Sequence, residues 1–385
     1  MTPSPPPQPF VLSLPVRNAA RMAFFVCGFA TAAWAPLVPY AKSRLLLDEA
    51  ALGALLLCLG AGSLATMSIT APLAARFGCR GLIVASTLGI CAALPPLAAA
   101  PTSGWLAASL LFFGASLGVL DVAINIHAAQ MQRLGGKIMM SGLHALYSVG
   151  GFLGAGGVGL LLSRGLVPVG AAFSVAGVVL ALLFRWGGHL LKESSPARPA
   201  LFALPRGRVL FLCLLAFIMY LAEGAMLDWS AVFLSSRGMA MDEAGWGYGA
   251  FAVAMTIGRF TGDGIVRGAG RSLVLRGGSL CVAAGFALAA FFPFPAAAMT
   301  GFALIGLGAA NIVPVIFTEA GNQTAMPAHL AVGAISLFGY GGILIGPAFI
   351  GFLARATSLD ASFAVLAVLT LAPAAASGFL FSGKK

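Results

Sequence analysis

GGHLLKESSPARPALFALPRGR, residues 187–208, is the longest polar interruption in a chain of 385 residues that is 60% hydrophobic and only 9% charged. A soluble domain runs nearer a quarter charged, so this composition fits a chain solvated by a bilayer. With about 20 apolar residues needed per crossing, six candidate spans precede the stretch, at about 19–41, 50–73, 81–100, 104–130, 139–163 and 167–187. Six more follow it, at about 208–235, 244–265, 272–292, 296–319, 329–354 and 359–381. The expected fold is therefore an all-α membrane protein of twelve transmembrane helices in two six-helix lobes related by a pseudo-twofold axis. The expected organisation is a tail over 1–16, a lobe over 17–187, a linker over 188–207, a second lobe over 208–381 and a short tail over 382–385. The opening MTPSPPPQPF is Pro-rich and reads as disordered. The apolar run after Arg17 and Arg21 continues to about Tyr40, too long for a signal peptide, and reads as a retained first span.

Charge placement supports this division. With the N-terminus in the cytoplasm, 17 of the 22 Lys and Arg residues fall on the inner side; only Lys42, Arg44, Arg164, Arg237 and Arg355 fall outside. That bias is the positive-inside pattern and puts both termini inside. The net charge of +11 is thus assigned to a membrane face, not to nucleic acid. The six cysteines form no C-x-x-C pair and read as small packing residues.

The halves echo each other. ARFGCR (75–80) closes the second span and VRGAGR (266–271) follows the eighth; Arg76 and Arg80 map onto Arg267 and Arg271 at a common separation of 191 residues. A duplicated layout with a basic central loop suits a two-lobed transporter whose site lies between the lobes.

These features resemble the major facilitator superfamily. Its loop signature G-x-x-x-D-[RK]-x-G-x-[RK] is matched in degenerate form by APLAARFGCR (71–80), with Ala71 and Ala75 where Gly and Asp are expected. The second copy, GRFTGDGIVRGAGR (258–271), keeps Asp263 between Arg259 and Arg267. The resemblance implies a cytoplasmic gate built from Arg76, Arg80, Arg259, Asp263, Arg267, Arg271 and Glu319. The acid missing at Ala75 weakens the N-terminal half of that lock. LDVAINIHAAQ, SGLHALYSVGGFLGA, AEGAMLDWSAVFL and GLGAANIVPVIF are similar to the bacterial YbjJ-like branch, related to fucose permeases, which implies transport without naming a substrate.

Polar residues inside the spans are the candidate site, because an Asp at a helix centre costs about 2.5–3.5 kcal/mol on insertion scales. Asp121 and Asn125 are four apart in span 4 and share a face. They read as cavity-lining; a cap or a pair with a neighbouring helix is the structural alternative. His127 points elsewhere and reads as interfacial. In span 5, Ser141, His144, Tyr147 and Ser148 form a polar stripe; His144 is expected near Asp121, either tuning a proton site or making a static hydrogen bond. Glu223 lies mid-span in span 7, and the superfamily resemblance sets it opposite Asp121. Asp228 reads equally as an outer gate or an interfacial acid. Asn311 in span 10 is the counterpart of Asn125, and amides suit a neutral polyol; Pro314 should bend that helix. Trp34 and Tyr220 are candidates for stacking on a sugar or for plain packing. The glycine runs at 150–159 and 339–351 read as pivots or as tight packing. The Gly346–Pro347 pair lies in span 11 instead of span 5, and so speaks only weakly for antiport.

The expected function is secondary active transport by alternating access, proton-coupled, of a small polar solute (a sugar or related metabolite) across the bacterial inner membrane. The alternative is a proton-driven efflux antiporter of amphipathic or cationic compounds. A membrane sensor lacks a soluble signalling domain. An enzyme lacks a nucleophile elbow, a metal-ligand spacing or a phosphate loop, so no catalytic residue and no metal is expected. The expected partners are a small-molecule substrate and the lipid bilayer; no nucleic acid and no cofactor is expected beyond the proton gradient, and the protein is expected to be a monomer.

Overall fold

The computed structural model describes residues 12–47, 49–192, 204–239 and 246–381. All regular structure among the described residues is helical: α1 (Leu14–Ala33), α2 (Val38–Arg44), α3 (Glu49–Ala99), α4 (Ser103–Gly135), α5 (Met140–Ser163), α6 (Pro168–Trp186), α7 (Gly207–Ser236), α8 (Trp246–Ala269), α9 (Arg271–Phe291), α10 (Pro295–Ala309), α11 (Ile312–Asn322), α12 (Ala328–Ala356), α13 (Leu359–Leu369) and α14 (Ala372–Phe381), with 3-10 turns at Ala35–Leu37 and Gly187–His189. Among the described residues, ten helical stretches are long and apolar enough to cross a membrane. The longest, Ala54–Ala99, is broken at Gly78. Helix α8 has 24 residues, carries Arg259, Asp263 and Arg267, and is not among the ten. Helix α1 already begins at Leu14, so the end of the expected tail is helical. The Pro-rich start, linker residues 193–203 with Arg198, and Lys384 and Lys385 lie outside the described residues.

The duplication is written into the backbone. Gly78 has φ 75°, ψ 154°, and Gly270 has φ 81°, ψ 156°. That conformation is essentially restricted to glycine, and each residue turns the chain from one span into the next. The two breaks are 192 residues apart, one more than the arginine match. The same separation relates Gly150 and Gly154 to Gly342 and Gly346. A side chain on Gly150 or Gly154 would meet the main chain of α1 at Phe25 and Phe29; on Gly342 or Gly346 it would meet that of α7 at Phe217 and Leu221. The glycine runs therefore seat α5 on α1 and α12 on α7, as close packing of small residues allows.

Two of the five arginines and lysines on the minority side have matching jobs. Arg44 donates to the carbonyls of Leu97, Ala98 and Ala100 at the end of α3. Arg237 donates to those of Ala289 and Ala290 at the end of α9, and pairs with Asp360 at 2.6 Å. Orphan C-terminal carbonyls and the negative end of the helix dipole favour a cation there. The basic residues at the other end of the bundle, where α1, α7 and α9 begin, define what we call the basic face.

The break between α10 and α11 falls at Ala310 and Asn311, because the Pro314 ring crowds the carbonyl four residues earlier. The two lobes meet along α5 against α8, α3 against α12, and α4 against α11.

Candidate functional site

Asp121 and Glu223 lie near the middle of α4 and α7, helices of 33 and 30 residues. They come from different lobes, yet both lie within electrostatic reach of the Tyr220 phenol. Tyr147 of α5 and Tyr340 of α12 are within reach of Asp121, and Tyr248 of α8 is within reach of Glu223 and Asp228. Four of the chain's five tyrosines thus lie within electrostatic reach of one or both mid-helix carboxylates. The Asp121 carboxylate makes no hydrogen bond or ion pair among the described residues. The Asn125 amide donates to the Asp121 main-chain carbonyl at 2.9 Å, and its own Oδ1 is buried without a partner.

Arg259 belongs to this centre and not to the gate. It is 8% exposed, its Nη1 donates to Ser148 Oγ at 2.7 Å, and its Nη2 lies 3.9 Å from Glu223 Oε2. The first contact crosses from α8 to α5 and so joins the lobes. The physical reason is position along the helix: Arg259 is eight residues before Arg267, about 12 Å along the helix axis, which carries it away from the basic face toward the middle of the bundle.

His144 does not pair with Asp121. Its Nδ1 bonds the Met140 carbonyl at 3.0 Å, and its ring lies 5.2 Å from Phe24 and 5.9 Å from Phe317. Helix α5 packs on α1 and α8 rather than flat on α4, so neighbours in sequence are not neighbours in space. His127 is buried near the end of α4, and its Nε2 accepts from the Leu191 N–H at 3.2 Å, anchoring the start of the linker. Trp34 is buried where α1 gives way to the 3-10 turn, its indole N–H without a partner. Asp228 is exposed. Asn311 donates to the Gly258 carbonyl at 2.9 Å and leaves its Oδ1 buried and unpartnered. It fills the space over Gly262, where a Cβ would come within 1.8 Å of that oxygen.

Nearer the basic face the lobes are latched. Asp263 accepts from the N–H groups of Ser141 and Gly142 at 3.1 and 3.0 Å. These are orphan donors in the first turn of α5, whose N-cap residue, Met139, provides no side-chain cap. The acid of one lobe therefore caps a helix of the other, where the dipole also favours it. Gln132 donates to Thr318 Oγ1 at 3.0 Å across the same seam. Glu319 is buried and binds Arg208 at 3.0 Å and Arg271, and Arg208 also donates to the Leu380 carbonyl. Arg76 is exposed and rests over the Phe77 ring. Arg267 is exposed and lies within electrostatic reach of Asp263; Arg80 is part-buried.

A family model, the Major Facilitator Superfamily, matches residues 22–330. The chain belongs to the Major Facilitator Superfamily. An uncharacterized MFS-type transporter of Yersinia pestis is 50% identical over 361 residues, covering 93% of this chain and 94% of that protein. The membrane protein MosC of Rhizobium meliloti is 33% identical, covering 94% of this chain and 89% of that one. Among solved structures, the E. coli fucose:proton symporter FucP shares the fold with a TM-score of 0.77 at 17% identity, covering 95% of this chain and 98% of that one. This member of the superfamily is a multi-pass membrane transporter, not an enzyme.

Tyr248 and Tyr340, the place of Arg259 beside Glu223, the pairing of Arg208 with Glu319 and the Gln132–Thr318 bond were not read from the sequence. The rarity of tyrosine and the depth of Arg259 within span 8 were the available signals.

Proposed function

We propose that this transporter is a proton-coupled symporter of a small polar solute, a sugar or related metabolite, working by alternating access. It would have twelve spans, its basic face in the bacterial cytoplasm and its lobes acting as a monomer. The twelve follow if α3 is divided at Gly78, α8 is counted, and the broken pairs α10–α11 and α13–α14 each cross once. The observation that carries the reading is that Asp121 and Glu223, mid-helix acids of opposite lobes, both lie within electrostatic reach of Tyr220. Carboxylates held inside a membrane protein are costly and mark ion or proton paths. Centring them between the lobes exposes them to each side in turn. The unpartnered amide oxygens of Asn125 and Asn311 suit hydroxyl donors on the solute. The shared fold with a fucose:proton symporter agrees with this chemistry.

The test is a thermal-shift screen of the purified protein with monosaccharides, polyols, sugar acids, amino acids and lipophilic cations. A ligand at a hundredfold excess over its Kd adds about 2.7 kcal/mol of stability. The proposal expects a shift with a sugar-like solute that is lost in Asn125→Ala or Asn311→Ala. A shift with lipophilic cations alone, weakened in Glu223→Gln, would replace it with proton-driven efflux.

A further inference from the structure

The solute's charge class can be read from Arg259. A guanidinium has five N–H donors in a planar fork that matches a carboxylate. At Arg259 one donor is engaged, by Ser148 Oγ at 2.7 Å. The Glu223 carboxylate stands 3.9 Å off, beyond hydrogen-bond distance. Arg259 Nε and Glu223 Oε1 are both buried and unpartnered. A permanent cation in the membrane interior is expensive, and a purely structural ion pair would close to bidentate contact at about 2.7–2.9 Å. This pair is held close enough to balance charge and too far apart to satisfy either partner. Glu223 of α7 and Ser148 of α5 lie at its head group, and Tyr220 of α7, His144 of α5 and Tyr248 of its own helix are within its electrostatic reach, Tyr220 also within that of Asp121. Arg259 is the only permanent cation of this group.

Building on the symport reading above, we propose that Arg259 anchors a carboxylate on the substrate and that Glu223 is the carboxylate it replaces. In the empty carrier the Glu223 anion balances Arg259. When a proton binds the Glu223 carboxylate, the neutral acid releases the guanidinium, which then takes the substrate carboxylate in its fork. One proton and one monoanion enter together, so the empty and loaded centres carry the same net charge. Asp121 and the amides of Asn125 and Asn311 remain for hydroxyl groups. The substrate class is a polyhydroxylated monocarboxylate of sugar-acid type, and the cycle is electroneutral at one proton per anion.

The experiment uses matched probes on the full-length protein: D-glucuronate and D-galacturonate against D-glucose and D-galactose, D-gluconate against D-sorbitol, and tetraphenylphosphonium as a cation. Thermal shift and equilibrium binding are expected to detect at least one acid and not its neutral partner. Binding of that acid should be lost in Arg259→Gln and weakened at least tenfold in Arg259→Lys, which keeps the charge but not the fork. In Glu223→Gln it should be tighter at neutral pH and lose its pH dependence. In proteoliposomes an acid-outside pH gradient should drive uptake of the acid, and a valinomycin–potassium potential should change the rate by less than twofold. If a neutral sugar binds, survives Arg259→Gln and is taken up with protons, the carboxylate anchor is overturned and the symport reading stands. If no acid binds, the anchor is likewise overturned. If tetraphenylphosphonium alone binds, or no probe responds to the pH gradient, the symport reading falls with it.

Discussion

Replacing Asp263 by Asn should loosen the seam between the lobes at the basic face. The two oxygens of Asp263 take the N–H groups of Ser141 and Gly142 at 3.1 and 3.0 Å. A hydrogen bond to a charged group contributes about 1.5–3 kcal/mol, and the helix dipole about 0.3–1 kcal/mol more. Asn keeps one acceptor, turns a donor toward the second N–H, and removes the charge. Because Asp263 is only part-buried, the low end applies, about 2 kcal/mol. At about 1.4 kcal/mol per tenfold, that is a roughly 30-fold shift of the equilibrium toward the arrangement open at the basic face. Ala129 reports on it: it is 6% exposed and faces Gly321 of the other lobe, where a Cβ would lie 3.0 Å from its own. In a background with the six cysteines replaced, Ala129→Cys should react with an impermeant maleimide in proportion to the open population. Addition of Asp263→Asn should raise that rate about 30-fold. A rate within threefold of the parent, in a folded protein, would refute the latch.

Glu319→Gln removes the anion between Arg208 and Arg271. Breaking a fully buried pair costs about 3–5 kcal/mol; the arginines here are 35% and 31% exposed, so a loss of about 2–3 kcal/mol is expected in a detergent melt, and a change under 1 would contradict it. Gly78→Ala and Gly270→Ala should each destabilise by about 1–3 kcal/mol, because their backbone region disfavours any Cβ; equal melting temperatures in all three proteins would count against a shared hinge geometry. Gly150→Ala places a Cβ 2.2 Å from the Phe25 carbonyl, whereas Gly156 has open space around it. The first should lower the yield of folded protein and Gly156→Ala should not; similar yields would remove the close-packing account of α5 on α1.

Much of this architecture was legible before any coordinates. Hydrophobic length alone sets the spans: span 5, expected at 139–163, is Met140–Ser163 in the structure, and span 9, expected at 272–292, is Arg271–Phe291. The break near Pro314 was legible as well, because a missing N–H and a ring clash act locally. The register of the repeat was legible only to one residue, since conspicuous arginines set the match at 191 while the glycine backbone sets it at 192. Arg259 was misplaced because it sits in the same basic string as Arg267, and a charge motif says nothing of depth unless the helical rise is applied to it. His144 was misplaced for a different reason: which helix packs on which is a property of the bundle, and α4 and α5 are joined in sequence without lying flat together. The cap that Asp263 provides to α5 joins residues more than 120 apart, and no local pattern encodes it.

The most direct test of the central claim is solute-driven proton movement in proteoliposomes carrying the wild type, Asp121→Asn or Glu223→Gln. With a panel of sugars, sugar acids, amino acids and lipophilic cations, the account predicts that a polar, sugar-like solute draws protons in with the wild-type protein. Glu223→Gln should still bind that solute and exchange it across the membrane without any proton flux. Proton flux in Glu223→Gln equal to that of the wild type, or solute uptake by the wild type with no proton movement, would contradict the account.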